Sequence, residues 1–190
     1  MLAGRFACVV DACVLHTPLY KAVILEFASS GLFRLVLSET ILDEWRRSLE
    51  TRFGDAPEKA AAPVETVRLA FAGAIVDLPA GLVDGIALPD ADDRHVVAAA
   101  LVGKASAIVT ANLRDFPEEA CAPYGLDVIH PDTFIVNIID LDETRAAAAI
   151  RNVRDRWKKP AYTAQQVIDA FAAKGMVQTA QRLRHIADLI

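Results

Sequence analysis

LPDADDRHVVAAALVGKASAIVTANLRDFP, residues 88 to 117, decides the fold class. The middle of the stretch is oily and both ends are acidic. Asp90, Asp92 and Asp93 precede the apolar segment, and Asp115 follows it. Residues 93–103 form a helix with an alanine-rich face. AIVT at 107–110 is short, apolar and rich in β-branched residues, which marks a strand buried on both faces. A helix that feeds a fully buried strand is half of a βαβ unit, and such units build parallel sheets. The acids are then either helix caps and solvated turn residues, or members of one site.

Working outward, the same alternation recurs. FACVV (residues 6–10) and RLVLS (34–38) are buried strands, and LDVIH (126–130) is a last short one. A helix over residues 18–29 ends at Gly31, and Ser38 is placed to cap the helix after RLVLS. Residues 56–73 are helical with an expected break at Pro63, and AIVDLP is a short strand or a loop. A helix opens at Pro131 and Asp132. The expected architecture is a three-layer α/β/α domain around a central parallel sheet, spanning residues 1–139. Residues 140–190 form a helical C-terminal extension of three amphipathic helices, separated by Pro160 and Gly175.

Composition narrows the function classes. With 190 residues, 54% of them hydrophobic, the chain can bury one good core and a small appendage. No apolar run reaches the roughly 20 residues of a membrane span. Asp11 interrupts the stretch where a signal peptide would stay apolar, so a soluble, unexported, cytoplasmic chain is expected. Three cysteines (Cys8, Cys13, Cys121) without a CxxC pair predict free thiols rather than disulfides or zinc ligands. The four histidines, at 16, 95, 130 and 185, form no HxH or HExxH pattern. The net charge is −5, but residues 140–190 hold nine Lys/Arg against six Asp/Glu. The chain as a whole therefore lacks a basic nucleic-acid footprint, and only its tail could meet a phosphate backbone or an acidic partner.

In an open parallel sheet, ligands bind at the carboxyl ends of the strands. Asp11 follows FACVV directly, Asp115 lies just past AIVT, and Asp93 opens the helix leading into AIVT. Glu44 borders the apolar stripe Ile41, Leu42, Trp45 and Leu49 of its helix. Asp43 points nearly opposite Ile41, and Glu39 sits in the first turn, where an acid favours the helix dipole. Carboxylates brought within a few ångströms repel, and they must share protons or bind cations. A donor set of oxygens alone favours Mg²⁺ or Mn²⁺ over zinc. An ion so held can activate water toward a phosphodiester and neutralise charge on the phosphoryl oxygens. Walker, GxGxxG and Ser-His-Asp patterns are all absent.

VVDACVL (9–15), LSETILDEW (37–45), PDADDRHVVAAAL (89–101) and IVTANLRDF (108–116) resemble the PIN-domain family. The tail is similar to the helical extension of longer members of the bacterial VapC-type toxin group. The resemblance implies a Mg²⁺- or Mn²⁺-dependent endoribonuclease. By position, Asp11, Glu44, Asp93 and Asp115 would be the catalytic acids. Asp11, Asp93 and Asp115 would hold metal, with Asp92 assisting through water. Asn112 stands where other members often carry Asp. Asn112, Arg46 and Arg114 are candidate substrate contacts, with Arg47 beside them, and Thr110 and Ser38 match small hydroxyl positions near such sites. The resemblance further implies an RNA substrate, a cognate antitoxin and a homodimer. Two other functions stay open: a housekeeping nuclease on RNA or DNA, and a non-enzymatic α/β signalling module. A receiver module would need an early acid pair and a Lys on a late strand, whereas Asp11 stands alone and Lys159 lies in the tail. A haloacid-dehalogenase-type phosphatase needs Asp-x-Asp where this chain has Asp11-Ala12-Cys13.

Overall fold

The computed structural model describes residues 6–158 and 161–190. Five parallel strands form the sheet: β1 (Ala7–Val10), β2 (Arg34–Ser38), β3 (Ile75–Val76), β4 (Ala107–Val109) and β5 (Asp127–Ile129). Their spatial order is β3-β2-β1-β4-β5. β1 is therefore central, with Cys8 aligned to Leu35 on one side and to Ala107 on the other. Helices cover both sides of the sheet, which is why Val9, Val36 and Ile108 are all fully buried. The expected α/β/α fold is the observed one.

The strand order creates a crevice. The chain winds outward from β1 through β2 to β3, then returns to place β4 on the other flank of β1. The winding reverses between β1 and β4, and the two connections leaving that point diverge. The gap between them opens at the carboxyl ends of the strands.

The helices are α1 (Ala12–His16), α2 (Pro18–Ser29), α3 (Glu39–Phe53), α4 (Ala61–Ala70), α5 (Arg94–Val102), α6 (Glu118–Cys121), α7 (Pro131–Leu141), α8 (Glu143–Arg156), α9 (Ala164–Ala173) and α10 (Val177–Arg184). Ser38 caps α3, its hydroxyl accepting from the Ile41 N–H at 3.3 Å. Gly31, in the left-handed region at φ 68°, ends the turn after α2. Two local expectations need correction. Pro63 does not break its helix: a 3-10 turn at Pro57–Ala60 precedes α4, and Pro63 falls in the first α turn, where its missing N–H has no partner to lose. The five-residue α1, directly after Asp11, was not expected, because one turn and a half is too short to show a periodicity. Pro160 and Lys159 lie outside the described residues.

The extension is anchored to the sheet domain through buried polar groups. Asp132, in the first turn of α7, is 5% exposed. Its two oxygens accept the Thr179 and Gln178 N–H groups at 2.7 and 3.0 Å, so it caps the start of α10 from a distant helix. The Tyr20 hydroxyl of α2 donates to the Lys174 carbonyl after α9 at 2.9 Å. Phe134 meets Phe33 edge to face at 5.0 Å. The division at residues 139/140 drawn from the sequence falls near the end of α7.

Candidate active site

Asp11 occupies the reversal point itself. Its backbone N–H continues the β1–β4 ladder by donating to the Val109 carbonyl at 3.1 Å. Its side chain is 3% exposed. A carboxylate this buried is tolerated only when donors surround it. Thr110, just past β4, donates its hydroxyl to Asp11 Oδ2 at 2.7 Å, and the Cys13 thiol donates to the same oxygen at 2.9 Å. Burial and then the Asp11 charge push the Cys13 thiol up to about 12, so it remains a neutral donor. The Thr110 hydroxyl in turn accepts the Asn112 N–H at 3.0 Å, closing a short network between the two strand ends.

Asp93 stands at the N-cap position of α5, yet its side chain makes no capping bond. Instead it joins Asp90 and Asp115: ligand oxygens of the three acids lie within 4.8 Å of one another. Burial pushes the Asp93 carboxyl up to about 7, reinforced by the charges of Asp11, Asp115, Asp90 and Glu44. Asp115 is fixed by Asn112, whose side-chain amide donates to it across one turn. Asp90 shapes its own loop by accepting the Asp92 N–H at 2.9 Å.

Glu44 approaches from α3, its Oε2 3.3 Å from His95 Nε2 of α5. The two buried atoms face each other as a carboxylate–imidazole pair, and neither makes any other side-chain contact of hydrogen-bond geometry. Burial acts to lower the His95 pKa, but the Glu44 carboxylate, the Asp92 carbonyl and Asp11 outweigh it and raise it. The other ring nitrogen, Nδ1, lies 2.7 Å from the Asp92 carbonyl. Beside Glu44, a cavity of about 250 Å³ is lined by Ala12, Cys13, His16 and Ser48.

The structure thus brings Asp11, Glu44, Asp93 and Asp115 to one end of the sheet. Asp90, counted in the sequence only among the acids before the helix, belongs with them. The Asp92 side chain is exposed and outside the group of three, although its backbone positions Asp90 and His95. Arg46 is engaged on its own helix with Asp43 and Glu50. Arg47 and Arg114 are exposed. Cys13 and His95 gave no signal as functional positions, because neither takes part in a spacing pattern. Thr110, matched in the sequence to a small hydroxyl position near such sites, lies against Asp11.

The donor set fits a hard divalent cation: clustered carboxylate oxygens, and one acid whose proton affinity is raised by burial and by its like-charged neighbours.

A five-stranded parallel sheet in this order, carrying acids at its point of reversal, is a doubly wound α/β domain with an acidic site. Residues 7–114 match the PIN domain family, and the chain belongs to that family. Residues 131–185 match the VapC50 C-terminal domain. A protein of Mycobacterium tuberculosis (strain ATCC 25618 / H37Rv) named "Putative ribonuclease VapC50" is 40% identical over 89 residues, covering 43% of this chain and 53% of that protein. The chain therefore matches about half the length of that relative. No solved structure matches the chain. Among the described residues, no helix is long and apolar enough to cross a membrane.

Proposed function

We propose that this protein is a Mg²⁺- or Mn²⁺-dependent endoribonuclease and the toxin of a toxin–antitoxin pair, working as a homodimer in the cytoplasm. The observation that carries the proposal is the meeting of Asp90, Asp93 and Asp115 beside the buried, triply connected Asp11, with Asp93 pushed up to about 7. Acids held this close repel one another unless protons or cations intervene. The name of the M. tuberculosis relative supports RNA as the substrate. The sheet domain, residues 1–139, would carry the chemistry, and residues 140–190 would be an appended helical module.

Asp11, Asp93 and Asp115 would hold the ion, with Asp90 closing the group. A bound divalent ion supplies neutralisation of phosphoryl charge and lowers the pKa of an attacking water. The chain's own contribution is preorganisation. Thr110 and Cys13 hold Asp11 in one rotamer, and Asn112 holds Asp115. Glu44 and His95 form a second acid–base pair on the adjoining wall. An antitoxin Arg presented to this cluster would find bidentate carboxylate partners and compete with the metal.

The test is incubation of antitoxin-free protein with RNA in Mn²⁺ and in EDTA. Cleavage is expected in Mn²⁺ alone, and it should fall by at least about a hundredfold in Asp11→Asn and Asp93→Asn, since each removes a charge from the metal site. Cleavage that persists in EDTA or in both variants rejects the proposal. Toxicity on overexpression, relieved by the product of an adjacent short reading frame, tests the toxin assignment separately.

A further inference from the structure

A cavity of about 810 Å³ lies away from the acids. It lies where the extension meets the sheet domain, lined from one side by the start of α2 and the end of α3, and from the other by the chain after α8 and by α9. Its charge is opposite to that of the acidic site. Arg52, Arg156, Lys158 and Lys174 line it, and no acid among the described residues does. Arg156 is paired with Glu26 at the cavity's edge. Lys21 stands close enough to Arg52 for the Arg52 charge, after burial, to lower its pKa. The cavity's aromatic wall is Trp157 and Tyr162, packed edge to face at 5.1 Å. Both rings remain partly open to solvent, whereas Trp45 is fully buried under Lys21.

We infer that this cleft between the PIN domain and its extension grips single-stranded RNA, with Trp157 and Tyr162 stacking bases and Arg52, Lys158 and Lys174 meeting phosphates. A cationic groove carrying open aromatic faces is the arrangement by which proteins hold single strands without reading sequence. Four cations lining one cleft, with no acid among its described lining residues, complement a polyanion. The cleft also leads toward the acids. Arg52 Nη1 donates to the His16 carbonyl at 3.4 Å, and His16 lines the small cavity that contains Glu44 and Cys13. His16, at the end of α1, therefore touches a lining residue of the cleft on one side and the small cavity beside Glu44 on the other. The inference rests on RNA being the substrate, and it assigns the extension a role in holding it.

The experiment measures anisotropy of a fluorescein-labelled 12-nucleotide single-stranded RNA with full-length protein in EDTA, so that no metal-dependent cleavage intervenes. Lys158→Glu/Lys174→Glu is expected to raise Kd by at least about tenfold and to reduce the salt slope by about two, since two phosphates are no longer neutralised. Trp157→Leu is expected to weaken binding by roughly five- to a hundredfold, the range for one stacked base, and to abolish RNA quenching of tryptophan fluorescence. Unchanged Kd and salt slope in the charge variant, with native far-UV circular dichroism, overturns the inference. So does a variant that keeps its RNA affinity but fails to bind its antitoxin, which would make the cleft a protein site. Cleavage in Mn²⁺, followed in parallel, separates the two proposals. Wild-type cleavage with unaltered KM in the cleft variants removes the cleft and leaves the nuclease. Binding at the cleft without cleavage by the wild type removes the nuclease and leaves the cleft.

Discussion

Thr110 and Asp11, 99 residues apart in the chain, share a 2.7 Å hydrogen bond in which the hydroxyl donates to Oδ2, and both side chains are buried. The bond joins the ends of β4 and β1 at the point where the sheet reverses its winding. Thr110→Val keeps the shape and removes the donor. Asp11 then retains only the weak Cys13 donor, and the Asn112 N–H loses its acceptor. Loss of a group that orients a metal ligand costs about 10–100-fold in metal affinity. Mn²⁺ titration should show that loss in Thr110→Val and near-complete recovery in Thr110→Ser. A Thr110→Val protein with unchanged Mn²⁺ affinity would remove Thr110 from the site.

The acid cluster also sets a pH dependence of stability. Asp93 titrates at about 7 in the folded protein, against an ordinary value near 4. Below about 4 it is protonated in both folded and unfolded chains and contributes no difference. Between 4 and 7 the unfolded chain gives up this proton while the folded one keeps it, so stability falls as pH rises through that window. In EDTA, the Tm contribution of this site should decline from pH 4.5 to pH 7. Asp93→Asn should flatten the decline, and Mg²⁺ should raise Tm at pH 7 more than at pH 4.5. A wild-type and Asp93→Asn pair with parallel Tm–pH curves would contradict the burial and crowding ascribed to Asp93.

Docking of the extension depends on a buried charge. Asp132 accepts the Thr179 and Gln178 N–H groups, and it also accepts the Thr179 hydroxyl at its own backbone carbonyl, at 3.2 Å. Asp132→Ala leaves the buried Thr179 N–H and the part-buried Gln178 N–H without their acceptor, at a cost of about 2–4 kcal/mol. Urea unfolding should report it, with α10 the first segment to lose protection from amide exchange. A cost below about 0.5 kcal/mol would mean that α10 is held by its apolar face alone.

The fold was legible in the sequence because burial on both faces leaves an unmistakable trace. ACVV, RLVLS and AIV are nearly unbroken apolar runs separated by helical lengths, and only a covered parallel sheet needs that. Glu44 could be preferred over Asp43 by angle around α3, and the structure leaves Asp43 exposed and Glu44 half-buried. The choice among Asp90, Asp92 and Asp93 could not be made this way. All three precede α5 in a loop without periodicity, and which carboxylate turns inward is decided by an Asx turn, Asp90 accepting from Asp92 N–H. The contact of His95 with Glu44 was illegible for a related reason: it depends on two helices whose relative placement no local pattern encodes. The cationic cleft was visible only as a surplus of Lys and Arg in the tail.

Close packing disfavours alanine at Gly103 on steric grounds alone. A Cβ on Gly103, at the end of α5, would lie 2.8 Å from Val36 Cγ2 and closer still to Cγ1. Val36 is wholly buried and β-branched, so it cannot swing aside. Gly103→Ala should cost about 1–3 kcal/mol in chemical denaturation while leaving Mn²⁺ affinity within about twofold of wild type. A neutral substitution would show that α5 can slide over β2, and with it Asp93.

The convergence of carboxylates on a divalent ion is tested most directly by the anomalous difference map of a crystal soaked in Mn²⁺. The account predicts a peak in contact with Asp93 and Asp115, bordered by Asp90 and Asp11, and its loss in Asp93→Asn crystals soaked alike. A map with no peak among these four acids, or with manganese bound only elsewhere on the molecule, would contradict it.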